Sequence, residues 1–308
     1  MDHKLVVTMF LAFVAPLTAG CVLADETASS DTSDLSASSR SWVTLTKDTR
    51  KCLSPVCGGY WVKDVNRKTA AQYVSELDFS ISDLDEDAIE QVRSAPAGEL
   101  VIRGKLGKKE TQFNTRKFLV SEAYRGMPGV VPVAGETFYN AKDRSPVISC
   151  FAAPCPNETA TKLNSTQKTY FGGYSVERAL KPHVDEAWLI EQIEHHDAVV
   201  AAVFSDGQPH PAGAEKVLDA SQVYVKVPAN RQSCPAFKLA PCPEGQVWTY
   251  TRDENLCQHP DKCVDDGNCP SLQPPHCADG YDIASWRVDS PACRTFSCDP
   301  SFVMTPWP

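Results

Sequence analysis

The feature that most restricts what this chain can fold into is a repeat of about one hundred residues, headed each time by a short cysteine loop. Cys52, Cys57, Val65 and Asn66 recur as Cys150, Cys155, Leu163 and Asn164 at an offset of 98. The frame Ile89-Glu90-Gln91-Val92 returns as Ile190-Glu191-Gln192-Ile193 at 101, and Ser121, Tyr124 and Pro128 return as Ser221, Tyr224 and Pro228 at 100. Matches in one order with so little drift are the mark of a duplicated unit carrying small insertions. The expected units are residues 41–130 and 131–230. A strand-like opening precedes each cysteine loop, as Trp42–Asp48 and Phe138–Asp143, and appears a third time as Trp248–Asp253. The third copy introduces a separate module, residues 231–308.

Alternating β-branched and aromatic residues predict strands over 42–47, 59–66 and 72–80. Ser82-Asp83-Leu84-Asp85 predicts a helix cap with carboxylates in the first turn, and Leu84, Ala88, Ile89 and Val92 make one apolar face. Pro96 and Gly98 stop the helix, and Leu100–Leu106 and Lys117–Tyr124 read as a closing strand pair. The second unit repeats this order, with Asp185 capping a helix and strands at 198–204 and 216–227. The fold expected is therefore α+β: two tandem β-rich units of three strands, one helix and two strands, plus a disulfide-rich irregular C-terminal module. That element order suits small five-stranded closed barrels, and equally another compact α+β sheet with one packed helix.

Thirteen cysteines are present, and setting aside Cys21 leaves an even number, which in an exported chain reads as a disulfide framework. Metal ligation would want C-x2-C pairs or interleaved histidines, whereas the intervals here are longer and rich in proline. Cys52 with Cys57, and Cys150 with Cys155, are expected to close on themselves, each short loop contributing about 2 kcal/mol if unstrained. Cys234, Cys242, Cys257, Cys263, Cys269, Cys277, Cys293 and Cys298 crowd a tail poor in apolar residues, where bridges replace a core. Their pairing stays open.

The N-terminus carries Lys4, then an apolar run over residues 5–17 broken by Thr8 and Pro16, then small residues before Cys21. This reads as a secretory signal, residues 1–21, too short to span a bilayer as a mature helix. Ala19-Gly20-Cys21 resembles a bacterial lipobox, with Thr18 where Leu is usual, so Cys21 is the expected site of lipidation. Cleavage after Ala24, giving a soluble secreted protein, is the alternative. Residues 22–40, rich in Ser, Thr and Asp, are too polar to form a core and read as a disordered tether. The formal charge of -9 repels phosphate backbones, so no nucleic-acid partner is expected.

The run Lys47–Lys63 with its cysteine loop, followed by Val65-Asn66, resembles the opening of a family of myxobacterial exported proteins, domain of unknown function 6748. Ala153-Pro154-Cys155-Pro156, Leu163-Asn164 and Ala220–Tyr224 resemble its second half. The resemblance covers about residues 41–228 and implies a compartment and an architecture, without an activity.

No nucleophile elbow, P-loop or dinucleotide fingerprint is present. Glu191, Glu194, His195 and His196 cluster on one helix end, where solvated side chains are the better reading than a metal site. Asp261, Asp265, Asp266 and Asn268 surround a turn but fail the calcium register, because Cys263 occupies a ligand position. Tyr60, Trp61, Tyr170, Tyr174, Trp188, Trp248 and Trp286 could form a sugar or peptide platform, though such aromatics more often pack in cores. The expectation is a non-catalytic, lipid-anchored cell-envelope protein with no metal and no cofactor. It would bind a protein or glycan at the cell surface and contact the membrane through its lipid. An extracellular protease inhibitor and a hydrolase with a dispersed active site are the alternatives.

Overall fold

The alternation in the opening segment becomes a strand because every second side chain enters a core: Ser41, Val43 and Leu45 are buried, and Trp42 and Thr44 are not fully so. The computed structural model describes residues 39–143, 156–210, 213–229, 234–266, 273–286 and 294–303. In it, β1 (Ser41–Lys47) pairs antiparallel with β2 (Tyr60–Asp64) and with β5 (Leu100–Leu106). β3 (Gln72–Val74) extends the sheet beyond β2. The stretch read as one strand over 72–80 is broken, and its second piece, β4 (Leu77–Asp78), lies parallel to β6 (Phe118–Gly126). Between β4 and β5 stands α1 (Glu86–Ser94), capped by Asp85, whose Oδ1 accepts from the Ala88 amide at 2.8 Å.

The second half follows the same order. It comprises β7 (Thr137–Asp143), β8 (Glu158–Lys162), β9 (Lys168–Phe171), β10 (Gly173–Ser175), α2 (Glu186–His195), β11 (Val199–His210) and β12 (Gly213–Lys226). β10 lies parallel to β12 as β4 does to β6. Asp185 caps α2 through the Trp188 amide at 3.2 Å.

The expected arrangement of two separate α+β units is corrected here. The halves share one predominantly antiparallel sheet of twelve strands, with the order β3-β2-β1-β5-β6-β12-β11-β7-β8-β9 and β4 and β10 attached. β6 and β12 join at its middle, where Tyr224, Val225 and Lys226 face Gly126, Arg125 and Tyr124. Neither half is a barrel of its own, and the protein is mostly β. The physical reason lies in β6 and β12, which would be the edges of two separate halves: Ala123, Tyr124, Val223, Tyr224 and Val225 are all at most 5% exposed. A strand buried on both faces cannot sit at the rim of a small sheet.

One core lies under each helix. The first gathers Val43, Val62, Val92, Ile102 and Phe118, and the second gathers Ala141, Phe171, Leu189, Ile193 and Leu218. A third cluster, with Trp42, Val65, Tyr124, Phe138, Leu163 and Tyr224, takes residues from both halves. Beside it two asparagines make a reciprocal lock. Asn66 accepts from the Phe138 amide at 2.8 Å and donates to the Phe138 and Leu163 carbonyls at 2.7 and 3.0 Å. Asn164 accepts from the Trp42 amide at 2.8 Å and donates to the Trp42 and Val65 carbonyls at 2.7 and 3.0 Å. Both have left-handed backbones, φ 60 and 58, which asparagine adopts more readily than other non-glycine residues.

The C-terminal module is also corrected from irregular structure. It holds two antiparallel hairpins, β13 (Gln246–Arg252) with β14 (Gln258–Asp265), and β15 (Tyr281–Trp286) with β16 (Thr295–Pro300). Disulfides Cys234–Cys257, Cys242–Cys263 and Cys277–Cys298 fasten it, and Cys52–Cys57 closes the first loop. Cys21, Cys150, Cys155, Cys269 and Cys293 lie outside the described residues. The described residues form one compact unit.

Candidate functional site

The C-terminal hairpins are held against the second half by specific hydrogen bonds. The Trp188 indole and the Gln192 amide both donate to the Glu254 carbonyl at 2.9 Å. The Cys298 amide donates to the His183 carbonyl at 2.8 Å, and the Tyr281 hydroxyl reaches the Pro128 carbonyl at 3.3 Å. Burial pushes the Tyr281 phenol well above its usual value, so it remains a donor at any physiological pH.

The two hairpins are fastened to each other by an ion pair between Arg252 and Asp299, both side chains 5% exposed. Arg252 Nη1 also donates to Ser297 Oγ at 2.9 Å, and Ser297 Oγ donates to Asp299 at 2.8 Å. The same guanidinium lies 5.3 Å from the Trp286 ring centre. With each charged group bonded more than once, this buried pair fixes how the hairpins meet.

Docking leaves an open cleft of about 710 Å³ between α2 and the hairpins. Trp188, Tyr250 and Trp286 supply aromatic lining, and Glu191, Glu254 and Asp261 supply carboxylates. Apolar ring surface beside convergent hydrogen-bonding groups is the chemistry of a ligand site. Aromatic faces stack on sugar rings or apolar side chains, and carboxylates accept from hydroxyl or ammonium groups.

Of the seven aromatics singled out in the sequence, Trp188 and Trp286 meet in this cleft. The others do not join them. Trp61 packs edge-on to Tyr73 at 5.6 Å, Tyr174 packs edge-on to Phe171 at 5.0 Å, and Trp248 donates to the Ala240 carbonyl at 2.9 Å. Tyr60 packs on the first core, and Tyr170 stands half exposed on β9. Tyr250 was missed, although it sits beside Trp248 in the third opening strand. Arg252 and Asp299 carry no local signature, because their partnership spans 47 residues.

The ligand-capable atoms of Glu191, Glu194 and His195 lie within 4.8 Å of one another. Glu191 and His195 are about half exposed, and His196 Nε2 is 3.9 Å from Glu191. Exposed Glu and His side chains one turn apart on a helix reach this spacing in solvent. Asp261 and Asp265 are on a strand and not around a turn: each bonds its hairpin neighbour, Thr249 and Gln246 respectively. Cys263 between them is disulfide-bonded, and Asn268 lies outside the described residues.

The first cysteine loop is a second exposed feature. Arg50 lies 5.0 Å from the ring centres of both Trp61 and Tyr73, and its guanidinium pairs with Asp48 at 2.9 Å. That pairing holds the Asp48 carboxyl at about 2, well below the usual range. Asp48 also accepts from the Gly58 amide, Arg50 donates to the Val56 carbonyl, and Tyr73 donates to the Pro55 carbonyl. Leu53 at the tip is 87% exposed and Val56 50%.

A relative in Dictyostelium discoideum, an uncharacterized protein, is 26% identical over 263 residues, covering 82% of this chain and 84% of that one. That coverage exceeds what residues 1–230 provide, so the similarity reaches into the C-terminal module that walls the cleft. No solved structure matches the chain. The family model described as domain of unknown function (DUF6748) matches residues 41–230, the whole of the twelve-stranded sheet, and the chain belongs to that family.

Proposed function

We propose that this is a non-catalytic binding protein of the cell envelope, exported and lipid-anchored at Cys21, whose ligand enters the cleft between α2 and the C-terminal hairpins. The observation that carries the reading is the convergence of Trp188, Tyr250 and Trp286 with several carboxylates, Glu191, Glu254 and Asp261 among them, on a cleft of about 710 Å³. Four disulfides suit an oxidising extracellular environment. Among the described residues no helix is long and apolar enough to cross a membrane. The matching element order of the two halves supports their origin by duplication. A glycan or a protein segment displayed at the cell surface is the ligand class that suits the lining.

The inhibitor alternative gains nothing from the first loop. Its Val56 amide donates to the Leu53 carbonyl at 3.1 Å, closing a turn where a protease would need an extended segment.

Glycan and peptide arrays probed with the purified protein test the reading. A captured ligand should lose about tenfold or more in affinity on Tyr250→Ala or Trp286→Ala, with the fold intact by circular dichroism. Affinity unchanged by both substitutions would move the site elsewhere. An activity abolished by one Ser, His, Asp or Glu substitution that leaves the fold intact would sink the non-catalytic reading.

A further inference from the structure

We propose that the Cys52–Cys57 loop is a preformed knob that docks on an anionic phospholipid surface, inserting Leu53 and Val56 while the cations at its base meet the headgroups. The inference extends the envelope reading to a second contact and does not depend on the cleft or on Cys21.

Leu53, at 87% exposure, is the most exposed large apolar side chain of the described protein, and Val56 next to it is half exposed. Isolated exposed leucines are ordinary on surfaces, but this one crowns a loop fixed from several sides. A disulfide closes the base, Arg50 is clamped between two aromatic rings, and three main-chain groups are bonded to Asp48, Arg50 and Tyr73. The loop is also seated against β3: a Cβ on Gly59 would lie 2.1 Å from the Val74 carbonyl oxygen, so only glycine permits the approach. A loop already ordered loses little entropy on docking.

Charge selects the occupant. Lys47, Arg50 and Lys51 are all exposed at the base of the loop. Arg50 and Asp48 neutralise each other as an ion pair, which leaves Lys47 and Lys51 as the net charge there. On a chain whose formal charge is -9 this is a local reversal of sign. Two aliphatic side chains are far too little area for a stable protein interface. They are the right scale for insertion at a lipid headgroup boundary, where a few methylenes and neighbouring cations act together.

The test uses the chain from Thr32 onward, which carries neither signal nor lipid, and measures its partitioning onto vesicles of phosphatidylglycerol with phosphatidylcholine against phosphatidylcholine alone. Binding should favour the anionic vesicles and weaken as salt is raised. It should fall about tenfold or more on Leu53→Asp, and by about tenfold on Lys51→Glu at low salt. Both side chains are solvent-exposed, so an unchanged melting temperature certifies each variant as folded. No partitioning onto anionic vesicles, equal partitioning onto both, or partitioning indifferent to Leu53→Asp would each overturn the proposal.

Discussion

Asp64 is fully buried, with the Ser41 hydroxyl as its neighbouring donor and Arg67 no closer than 3.9 Å. Burial pushes its carboxyl above the usual value, which Arg67 offsets in part. A carboxyl raised in the folded state favours the native form when protonated, and that gain is lost as pH rises through the folded value. Asp64→Asn should therefore raise stability at neutral pH, where the carboxylate is charged and buried. It should also remove a component of stability that grows as pH falls toward the ordinary carboxylate range, measured by urea titration at several pH values. The asparagine lock makes the opposite prediction. Asn66→Gly keeps the left-handed backbone but deletes three hydrogen bonds, and should cost about 1–3 kcal/mol, as should Asn164→Gly. Because the two act on one junction, the double variant should depart from additivity. The recurrence of these asparagines was plain in the sequence. Their role was not, because each bonds the opposite half.

At the scale of elements, local chemistry was readable wherever the partners are close in sequence. The Asp85 and Asp185 caps, the apolar face of α1 and the limits of β1 follow from patterns a few residues long. The break between β3 and β4 did not show, because it depends on β4 turning to pair parallel with β6 some forty residues away. The module after residue 230 has few buried apolar side chains, chiefly Leu256 and Tyr281. Its hairpins therefore depend on covalent closure. Removing the Cys277–Cys298 bridge by paired serine substitution should cost about 3 kcal/mol on the chain-entropy model, since it closes a loop of sequence separation 21. Thermal unfolding monitored through tryptophan fluorescence should reveal the module loosening first, and the cleft would lose one wall. In the first loop, the Arg50 brace on Asp48 lowers that carboxyl to about 2. Its contribution is complete above the ordinary carboxylate range and disappears as pH falls through about 2.

For the molecule as a whole, the recurring residues suggest two covalent units, while the sheet makes the two halves one physical body. A repeat reveals which residues correspond; it does not reveal which strand edges meet, since β6 and β12 pair across about one hundred residues. One hint was present in the sequence of β12, the joining strand, where Val223-Tyr224-Val225 lacks the alternation of a one-faced edge strand. Its helical counterpart, the amphipathic α2, then presents Trp188 and Gln192 to the C-terminal module, so the shared sheet is also what positions the cleft. Native-state hydrogen exchange tests this unity most directly. Amides of β5 and β6 in the first half and of β11 and β12 in the second should exchange through one common opening, with the same free energy and the same dependence on urea. Two distinct opening energies, one for each half, would contradict the single shared sheet and return the protein to two independent domains.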